Sequence, residues 1–201
     1  GPVGGVFSPA VPQALKAAIP HVTVMDSYGA SETGAGGMSA EGGARRFTVS
    51  DEIQVLDDDL DPIPPGSEDR GHLARTGHIP LGYYKDEEKS AKTFRVIDGV
   101  RYSIPGDYAT VAADGSLHLL GRGSVCINTG GEKVFPEEVE EVLKQCDEVY
   151  DVVVVGADDA RWGQRVVAVV ATSPGVPHGG RTEEKLVAHA RSRLAGYKVP
   201  K

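Results

Sequence analysis

Apolar positions over the first thirty-four residues follow first a helical spacing and then a continuous run. Behind the cap residue Ser8, apolar residues in the segment 11–18 recur at helical spacing and predict an α-helix. The run HVTVM, residues 21–25, predicts a short buried strand. A helix that leads into a strand is typical of a layered α/β domain. Ligands of such sheets bind beyond the carboxyl ends of strands, where the segment DSYGASETG, residues 26–34, stands.

The middle of the chain, residues 50–121, predicts a β-rich section. Proline, glycine and aspartate separate four short apolar stretches that predict strands, EIQVL, RGHLAR, YATVA and SLHLLG. The segment DDDLDPIPPG consists largely of turn-forming residues and predicts a loop. The segment DEEKSAKTF, residues 86–94, predicts a short helix.

The last part of the chain predicts a small α+β unit in the order β-α-β-β-α. Its strands are VCIN, VYDVVVVG and RVVAVVAT. The helix PEEVEEVLKQC has Pro136 at its first position, followed by acids that suit the helix dipole. Thr182 is the predicted cap of the helix EEKLVAHARSRL. One face of the first helix collects the apolar residues Val139, Val142, Leu143 and Cys146. The boundary with the preceding domain is expected near residues 121–124.

The composition of the chain limits the classes of protein to which it can belong. The 201 residues are 40% apolar and 25% charged, with a formal net charge of −8. Such an acidic balance argues against a nucleic-acid partner and against broad binding to anionic membranes. The sequence has no apolar run long enough for a transmembrane helix, no signal peptide pattern and no metal-ligand spacing among its histidines. Two cysteines without a CxxC pattern predict reduced thiols and a cytoplasmic protein.

The stretch YATVAADGSLHLLGR predicts a β-hairpin. A two-residue loop at Asp114-Gly115 would place Asp107 opposite Arg122 at its open end. The ordinary interpretation of such a pair is a surface salt bridge, which contributes little to stability. The functional interpretation is a clamp in which the carboxylate accepts hydrogen bonds from a vicinal diol, such as that of a ribose. One more residue in the loop would offset the two side chains.

Four separated stretches together resemble one family. They are YGASE (28–32), GHLARTGHIPLGYYKDEEKSAKTF (71–94), YSIPGDYA (102–109) and GRGSVCINTGGEKVFPEEVEEVL (121–143). In order and spacing they are similar to motifs of the adenylate-forming enzymes, in particular the acyl-CoA synthetases. The resemblance implies an α/β fold with a β-rich, barrel-like subdomain, followed by a small α+β domain. Residues 1–121 would end a large N-terminal adenylation domain, with the β-rich part at 50–121, and residues 122–201 would form most of the small C-terminal domain.

The resemblance also implies a two-step reaction. A fatty or related carboxylic acid attacks the α-phosphate of ATP to give an acyl adenylate and pyrophosphate. The thiol of coenzyme A then takes the acyl group and AMP leaves. Mg²⁺ offsets the phosphate charge, and the small domain rotates between the two steps. Such an enzyme would be cytoplasmic or peripheral to a membrane.

The resemblance implies that the residues of YGASE contact the nucleotide. Glu32 would contact Mg²⁺ and ATP, and Ser31, where the family more often has Thr, would bond the phosphates. Tyr28 would pack on the adenine, with Gly29 and Ala30 allowing its close approach. Without the resemblance, Glu32 is an ordinary solvated loop acid and Tyr28 an ordinary packing residue.

Further roles lie on both sides of that motif. Asp107 would hold the ribose hydroxyls with Arg122 beside it. Gly4 and Gly5 resemble, loosely, a glycine segment that flanks the adenine.

The small domain carries the remaining assignments. Ser124 occupies the hinge position, where the family commonly has Asp or Lys, and Gly130 and Gly131 would line the path of coenzyme A. The ordinary interpretation of the two glycines is a turn. Two other departures are Asn128 in place of a Lys and His72 in place of a Glu.

Two hallmarks of the family are missing from these residues, the Ser/Thr/Gly-rich phosphate loop and the lysine that supports adenylation. Lys201 does not match that lysine. The chain is therefore expected to be a fragment, truncated at both ends and inactive alone. Three alternatives stay open: an enzyme that loads a carrier-protein thiol, a non-catalytic AMP-binding module, and a domain in which the motifs are only structural.

Overall fold

A computed structural model describes residues 10–39 and 46–201, and the chain divides into two compact units, Gly1–Leu120 and Gly121–Lys201. The described part of the first unit contains helices α1 (Ala10–Ala18) and α2 (Glu87–Thr93). Its strands are β1 (Asp26–Ala30), β2 (Gly34–Ser39), β3 (Arg46–Val49), β4 (Ile53–Leu56), β5 (Arg70–Arg75), β6 (Phe94–Ile97), β7 (Val100–Ser103), β8 (Asp107–Val111) and β9 (Leu117–Arg122).

These nine strands form one sheet in the order β1-β2-β3-β9-β8-β5-β7-β6, with β4 paired to β5. The largest core cluster of the first unit lies on β4, β5, β8 and β9 and comprises Ile53, Val55, Ile63, Leu73, Ala109, Val111 and Leu117. Gly71 has no space for a side chain, because a Cβ there would collide with the carbonyl oxygen of Leu56 on β4. Packing therefore explains this glycine without any ligand.

The expected strand at residues 21–25 is wrong. Residues 22–25 have no regular structure, and β1 begins at Asp26, inside the segment expected to follow a strand. Val22 and Val24 are only half-buried and their neighbours are exposed, so this run lacks the burial of a core strand. The segment 26–39 is instead an antiparallel hairpin of β1 and β2.

The β8–β9 hairpin has a three-residue loop. The Ala112 amide donates to the Ser116 carbonyl, and the Gly115 amide donates to the Ala112 carbonyl, both at 2.9 Å. Gly115 has a φ of 80°, a left-handed conformation that suits glycine. The predicted two-residue loop is therefore wrong, and Asp107 no longer falls opposite Arg122 in the register.

The second unit contains helices α3 (Pro136–Leu143) and α4 (Gly180–Arg191), with 3-10 turns at Gly123–Val125 and Gly196–Lys198. Its strands β10 (Ile127–Thr129), β11 (Glu132–Val134), β12 (Val149–Asp159) and β13 (Gly163–Thr172) form a sheet in the order β11-β10-β13-β12. Strand β11 is additional to the predicted order of elements. The core cluster comprises Ile127, Val134, Val139, Leu143, Cys146, Val149, Val152, Val154, Val166, Leu186, Ala190 and Val199.

The two helices of this unit differ in how well their starts were predicted. Pro136 stands at the start of α3 as expected, and the predicted face of α3 is buried at Val139 and Leu143. Helix α4 is capped by Gly179, and Thr182 donates instead to the Pro177 carbonyl at 2.8 Å. The predicted cap at Thr182 is therefore wrong. Among residues 10–39 and 46–201, no helix is long and apolar enough to cross a membrane.

Candidate functional site

The β1–β2 hairpin presents Ser31 and Glu32 on a tight turn. The Thr33 amide donates to the Ala30 carbonyl at 3.1 Å, and Thr33 itself is buried. Ser31 is exposed and Glu32 is half-buried. A Cβ on Gly29 would lie 2.8 Å from the Gly34 carbonyl oxygen, so the pairing of the two strands itself requires glycine at this position.

Tyr83 holds the carboxylate of Glu32. Its hydroxyl donates to Glu32 Oε1 at 2.6 Å, and its backbone amide donates to Ser90 Oγ at 2.8 Å. The ring packs against Phe94, with 5.7 Å between ring centroids, and the Lys89 ammonium nitrogen lies 4.0 Å from the centroid of the Tyr83 ring. No sequence pattern indicated a role for Tyr83, although it belongs to the GYY of the stretch 71–94.

Arg75, on β5, ties the same turn to the sheet. Its Nη1 donates to the Thr33 carbonyl and, at 2.9 Å, to the Ala35 carbonyl. Its Nη2 donates to Glu52 Oε2 at 2.9 Å, and the Arg75 side chain is 16% exposed. No sequence pattern indicated a role for Arg75 either, since RGHLAR predicts only a strand.

Tyr28 and Asp107 are brought together by β1 and β8. The Tyr28 hydroxyl donates to Asp107 Oδ2 at 2.8 Å, and Asp107 is only 6% exposed. The Tyr28 ring lies 6.1 Å from that of Phe47, and a Cβ on Gly36 would lie 2.5 Å from Tyr28 Cδ1. The hydroxyl therefore orients a buried carboxylate, while the ring covers a glycine of β2.

Four other predicted positions lie at the start of the second unit or outside the described residues. Arg122 ends β9 with an exposed side chain, and Ser124 is exposed on the 3-10 turn that follows. Gly4 and Gly5 lie outside the described residues.

Gly130 and Gly131 are the two-residue loop of the β10–β11 hairpin, with φ values of 60° and 88°. The Gly130 amide donates to the Trp162 carbonyl at 2.8 Å, and a Cβ on Gly130 would lie 2.8 Å from the Trp162 ring. A Cβ on Gly131 would meet nothing within 4 Å. Gly130 is thus fixed by packing, whereas the space beside Gly131 is open.

The donor chemistry around Glu32 limits the kind of metal site. Among residues 10–39 and 46–201, no three or more His, Cys, Asp or Glu side chains form a group that could hold a metal ion. Magnesium in nucleotide sites is commonly bound by one or two carboxylates together with phosphates and water. A single oriented carboxylate fits a magnesium ion that arrives with a nucleotide.

Known protein sequences similar to this chain belong to AMP-binding enzymes and acid–CoA ligases. Residues 138–201 match the AMP-binding enzyme C-terminal domain. The chain is 50% identical, over 98% of its length, to the medium/long-chain-fatty-acid–CoA/3-oxocholest-4-en-26-oate–CoA ligase of Mycobacterium tuberculosis (strain CDC 1551 / Oshkosh). It is 52% identical over the same share to the 3-oxocholest-4-en-26-oate–CoA ligase of Rhodococcus rhodochrous. The chain spans 36% of the length of each of these relatives.

Solved structures share the fold. The ATP-bound RpMatB-BxBclM chimera B1 superposes with a TM-score of 0.82 at 27% identity, covering 98% of this chain and 40% of that one. The anthranilate CoA ligase AuaEII, in complex with anthranoyl-AMP, also gives 0.82 at 24% identity, covering 98% and 38%. These similarities confirm the expected fold class, α/β with a β-rich subdomain followed by a small α+β domain.

Proposed function

We propose, from the premise that this chain belongs to the adenylate-forming superfamily, that the protein carrying it is an AMP-forming ligase that joins a fatty or related carboxylic acid to coenzyme A. One observation carries the proposal: 98% of the chain aligns at 50% identity with a relative named for medium- and long-chain fatty acids and a steroid side-chain acid. The same two classes of acid are the proposed substrates.

Asp107 is the proposed ribose ligand. A buried carboxylate that is already oriented by the Tyr28 hydroxyl can accept hydrogen bonds from two neighbouring hydroxyls without losing conformational entropy on binding. Tyr28 offers its ring to the adenine beside Gly29 and Ala30, and Arg122 contributes to the ribose site.

Glu32 and Ser31 are the proposed phosphate-side residues. The Ser31 hydroxyl is exposed on the turn and can donate to a phosphate oxygen. Glu32 is the proposed carboxylate for Mg²⁺ that accompanies ATP. When bound there, the ion offsets the charge of the phosphates during adenylation.

The two units are the proposed domains of such an enzyme. Residues 1–121 would contribute the nucleotide contacts other than Arg122, and residues 122–201 would be the small domain, with its hinge at Ser124. The open space beside Gly131 is the proposed approach of the coenzyme A pantetheine. We place the protein in the cytoplasm, where ATP, coenzyme A and reduced thiols are available.

The test is acid-dependent exchange of pyrophosphate into ATP by the protein that carries this chain. We expect exchange with medium- and long-chain fatty acids or a 3-oxo steroid side-chain acid, and acyl-CoA once coenzyme A is added. If the protein forms the adenylate but transfers the acyl group only to a carrier-protein thiol, that thiol and not coenzyme A is the acceptor. Binding of AMP without any exchange would contradict a catalytic role.

The 201-residue chain alone is proposed to be inactive. Its residues include neither a Ser/Thr/Gly-rich phosphate loop nor a match to the adenylation lysine, on both of which the reaction depends by resemblance. The same exchange assay on the isolated chain should give the background rate, and robust acyl adenylate formation would contradict this part of the proposal.

A further inference from the structure

The turn that carries Glu32 is closed by the bond from the Thr33 amide to the Ala30 carbonyl, which does not restrain the Glu32 side chain. It is three residues long and is followed by Gly34, whose φ of 65° is a left-handed conformation. A carboxylate on such a turn would sample several positions unless other parts of the fold restrained it. Ligand binding would then have to compensate for the loss of that freedom.

Tyr83 supplies a restraint on the carboxylate itself. Its hydroxyl reaches Glu32 Oε1 across 51 positions of sequence, at 2.6 Å. Because its amide is bonded to Ser90 and its ring contacts Phe94, the tyrosine is itself immobilised before it meets the glutamate. One carboxylate oxygen is therefore assigned to Tyr83, which fixes the direction of the other.

Arg75 supplies a restraint on the backbone. Its guanidinium donates to the Thr33 and Ala35 carbonyls, which flank Gly34, and its charge is balanced by Glu52. Planar, multidentate donation of this kind is a property of arginine that lysine does not reproduce. The end of the turn is therefore attached to β5 through Thr33 and Ala35, on either side of Gly34.

We propose that Tyr83 and Arg75 are positioning residues that pre-organise Glu32 for magnesium–nucleotide binding, Tyr83 by fixing its carboxylate and Arg75 by fixing its turn. This inference rests on the proposed function of Glu32. It predicts a defect that depends on the metal: Mg·ATP binding weakens, while AMP binding without metal is retained.

Tyr83→Phe tests the first restraint, since it removes one oxygen and keeps the ring packing. In the protein that carries this chain, calorimetry should show affinity for Mg·ATP reduced by about tenfold, the scale of a hydrogen bond to a charged group. Affinity for AMP without magnesium should be unchanged. Tyr84→Phe is the matched control, because Tyr84 is the neighbouring residue and is 88% exposed.

Arg75→Lys tests the second restraint while keeping the charge. Hydrogen exchange followed by mass spectrometry should show faster exchange in residues 31–35, with the rest of the sheet unchanged, and Mg·ATP affinity should fall as for Tyr83→Phe. Arg95→Lys is the control, because Arg95 is exposed on β6.

The outcomes separate the two proposals. If wild-type protein binds Mg·ATP and supports exchange but Tyr83→Phe and Arg75→Lys bind it equally well, the positioning role is wrong and the function stands. Equal losses of Mg·ATP and metal-free AMP affinity would also contradict it, since they indicate a general structural role. If the wild type binds AMP but neither binds Mg·ATP more tightly than ATP nor supports exchange, the function proposed for Glu32 fails first.

Discussion

At the scale of single residues, the Tyr28–Asp107 contact changes what each side chain is expected to do. A buried carboxylate is costly unless hydrogen bonds compensate for its lost hydration. The Tyr28 hydroxyl provides one such bond at 2.8 Å, and a ribose would provide others in the bound state. Tyr28 is thus both a packing residue and an orienting donor, whereas its resemblance to the family motif indicated only a contact with adenine.

Asp107→Ala should weaken nucleotide binding by about 1.5–3 kcal/mol, the scale of hydrogen bonds to charged groups. The physical reason is loss of the acceptor proposed for the ribose hydroxyls. Titration of AMP and the KM for ATP measure the effect. Asp51→Ala is the control, because Asp51 is an exposed carboxylate of the same unit. Unchanged ATP KM, kcat and AMP affinity in Asp107→Ala would exclude the ribose role.

Glu32, Tyr28 and Asp107 could be proposed as site residues from the sequence, because short motifs contain them. It could not locate Tyr83 or Arg75, since their contacts join residues 51 and 42 positions apart and depend on how β1, β5 and the segment before α2 meet in space. Their residue types alone indicate nothing special. Long-range polar contacts of this kind require the tertiary structure.

At the scale of elements, the hairpin loops show where local patterns are ambiguous. Asp114-Gly115 is compatible with a two-residue loop and with a three-residue loop that ends in a left-handed glycine. The structure has the second form, with Asp114 Oδ1 accepting from the amide and hydroxyl of Ser116. One residue in a loop was enough to offset the predicted register of Asp107 and Arg122.

Strand β2 shows the opposite problem. Its sequence, GAGGMS, has low intrinsic strand propensity and gave no strand signal. It forms because its glycines leave space for neighbours: the Tyr28 ring covers Gly36, and Gly37 lies against the Thr48 carbonyl of β3. Tertiary packing therefore decides this element, and the same dependence explains why β1 was assigned to a loop.

An ion pair between Glu148, just before β12, and Lys185 of α4 leads to a pH-dependent prediction. The hydrogen bond from Lys185 lowers the pKa of Glu148, and the same bond raises the pKa of Lys185. Because the carboxylate pKa is lowered by folding, Glu148 contributes stability at pH values above its unfolded-state pKa. This contribution is lost as the pH falls through the folded-state pKa. Because the lysine pKa is raised by folding, Lys185 contributes stability at pH values below its unfolded-state pKa. This contribution is lost as the pH rises through the folded-state pKa. The pair should therefore stabilise between about pH 4.3 and 10.4.

Glu148→Gln should lower the thermal unfolding midpoint at neutral pH, and the difference from wild type should vanish as the pH falls below the range in which Glu148 ionises. Thermal unfolding followed by circular dichroism across pH measures it. Glu88→Gln is the control, since the Glu88–Lys92 pair on α2 is exposed on both side chains. A Glu148→Gln difference that persists at low pH would contradict the electrostatic origin.

At the scale of the whole molecule, the division into two units follows from where the apolar residues lie. The core cluster of the second unit is drawn from residues 127–199, and both clusters of the first unit from residues 53–117. The change from short β-rich segments to an α+β pattern was visible in the sequence, because hydrophobic periodicity reports local burial. The order of strands within each sheet was not, since it depends on long-range pairing.

Separate cores predict separate responses to mutation. Leu143→Ala removes a side chain that is 2% exposed in the second unit, and Leu73→Ala removes one that is 1% exposed in the first. Each should destabilise its own unit by about 2–5 kcal/mol through lost burial and a residual cavity. Hydrogen exchange should lose protection in β12, β13 and α4 for Leu143→Ala, and in β4, β5 and β8 for Leu73→Ala. Because each variant is the control for the other, equal loss of protection throughout both units would show that the two cores unfold as one cooperative structure. Confinement of each loss to one unit would instead mean that each unit holds its fold by its own core, which the proposed rotation of the small domain about Ser124 would require.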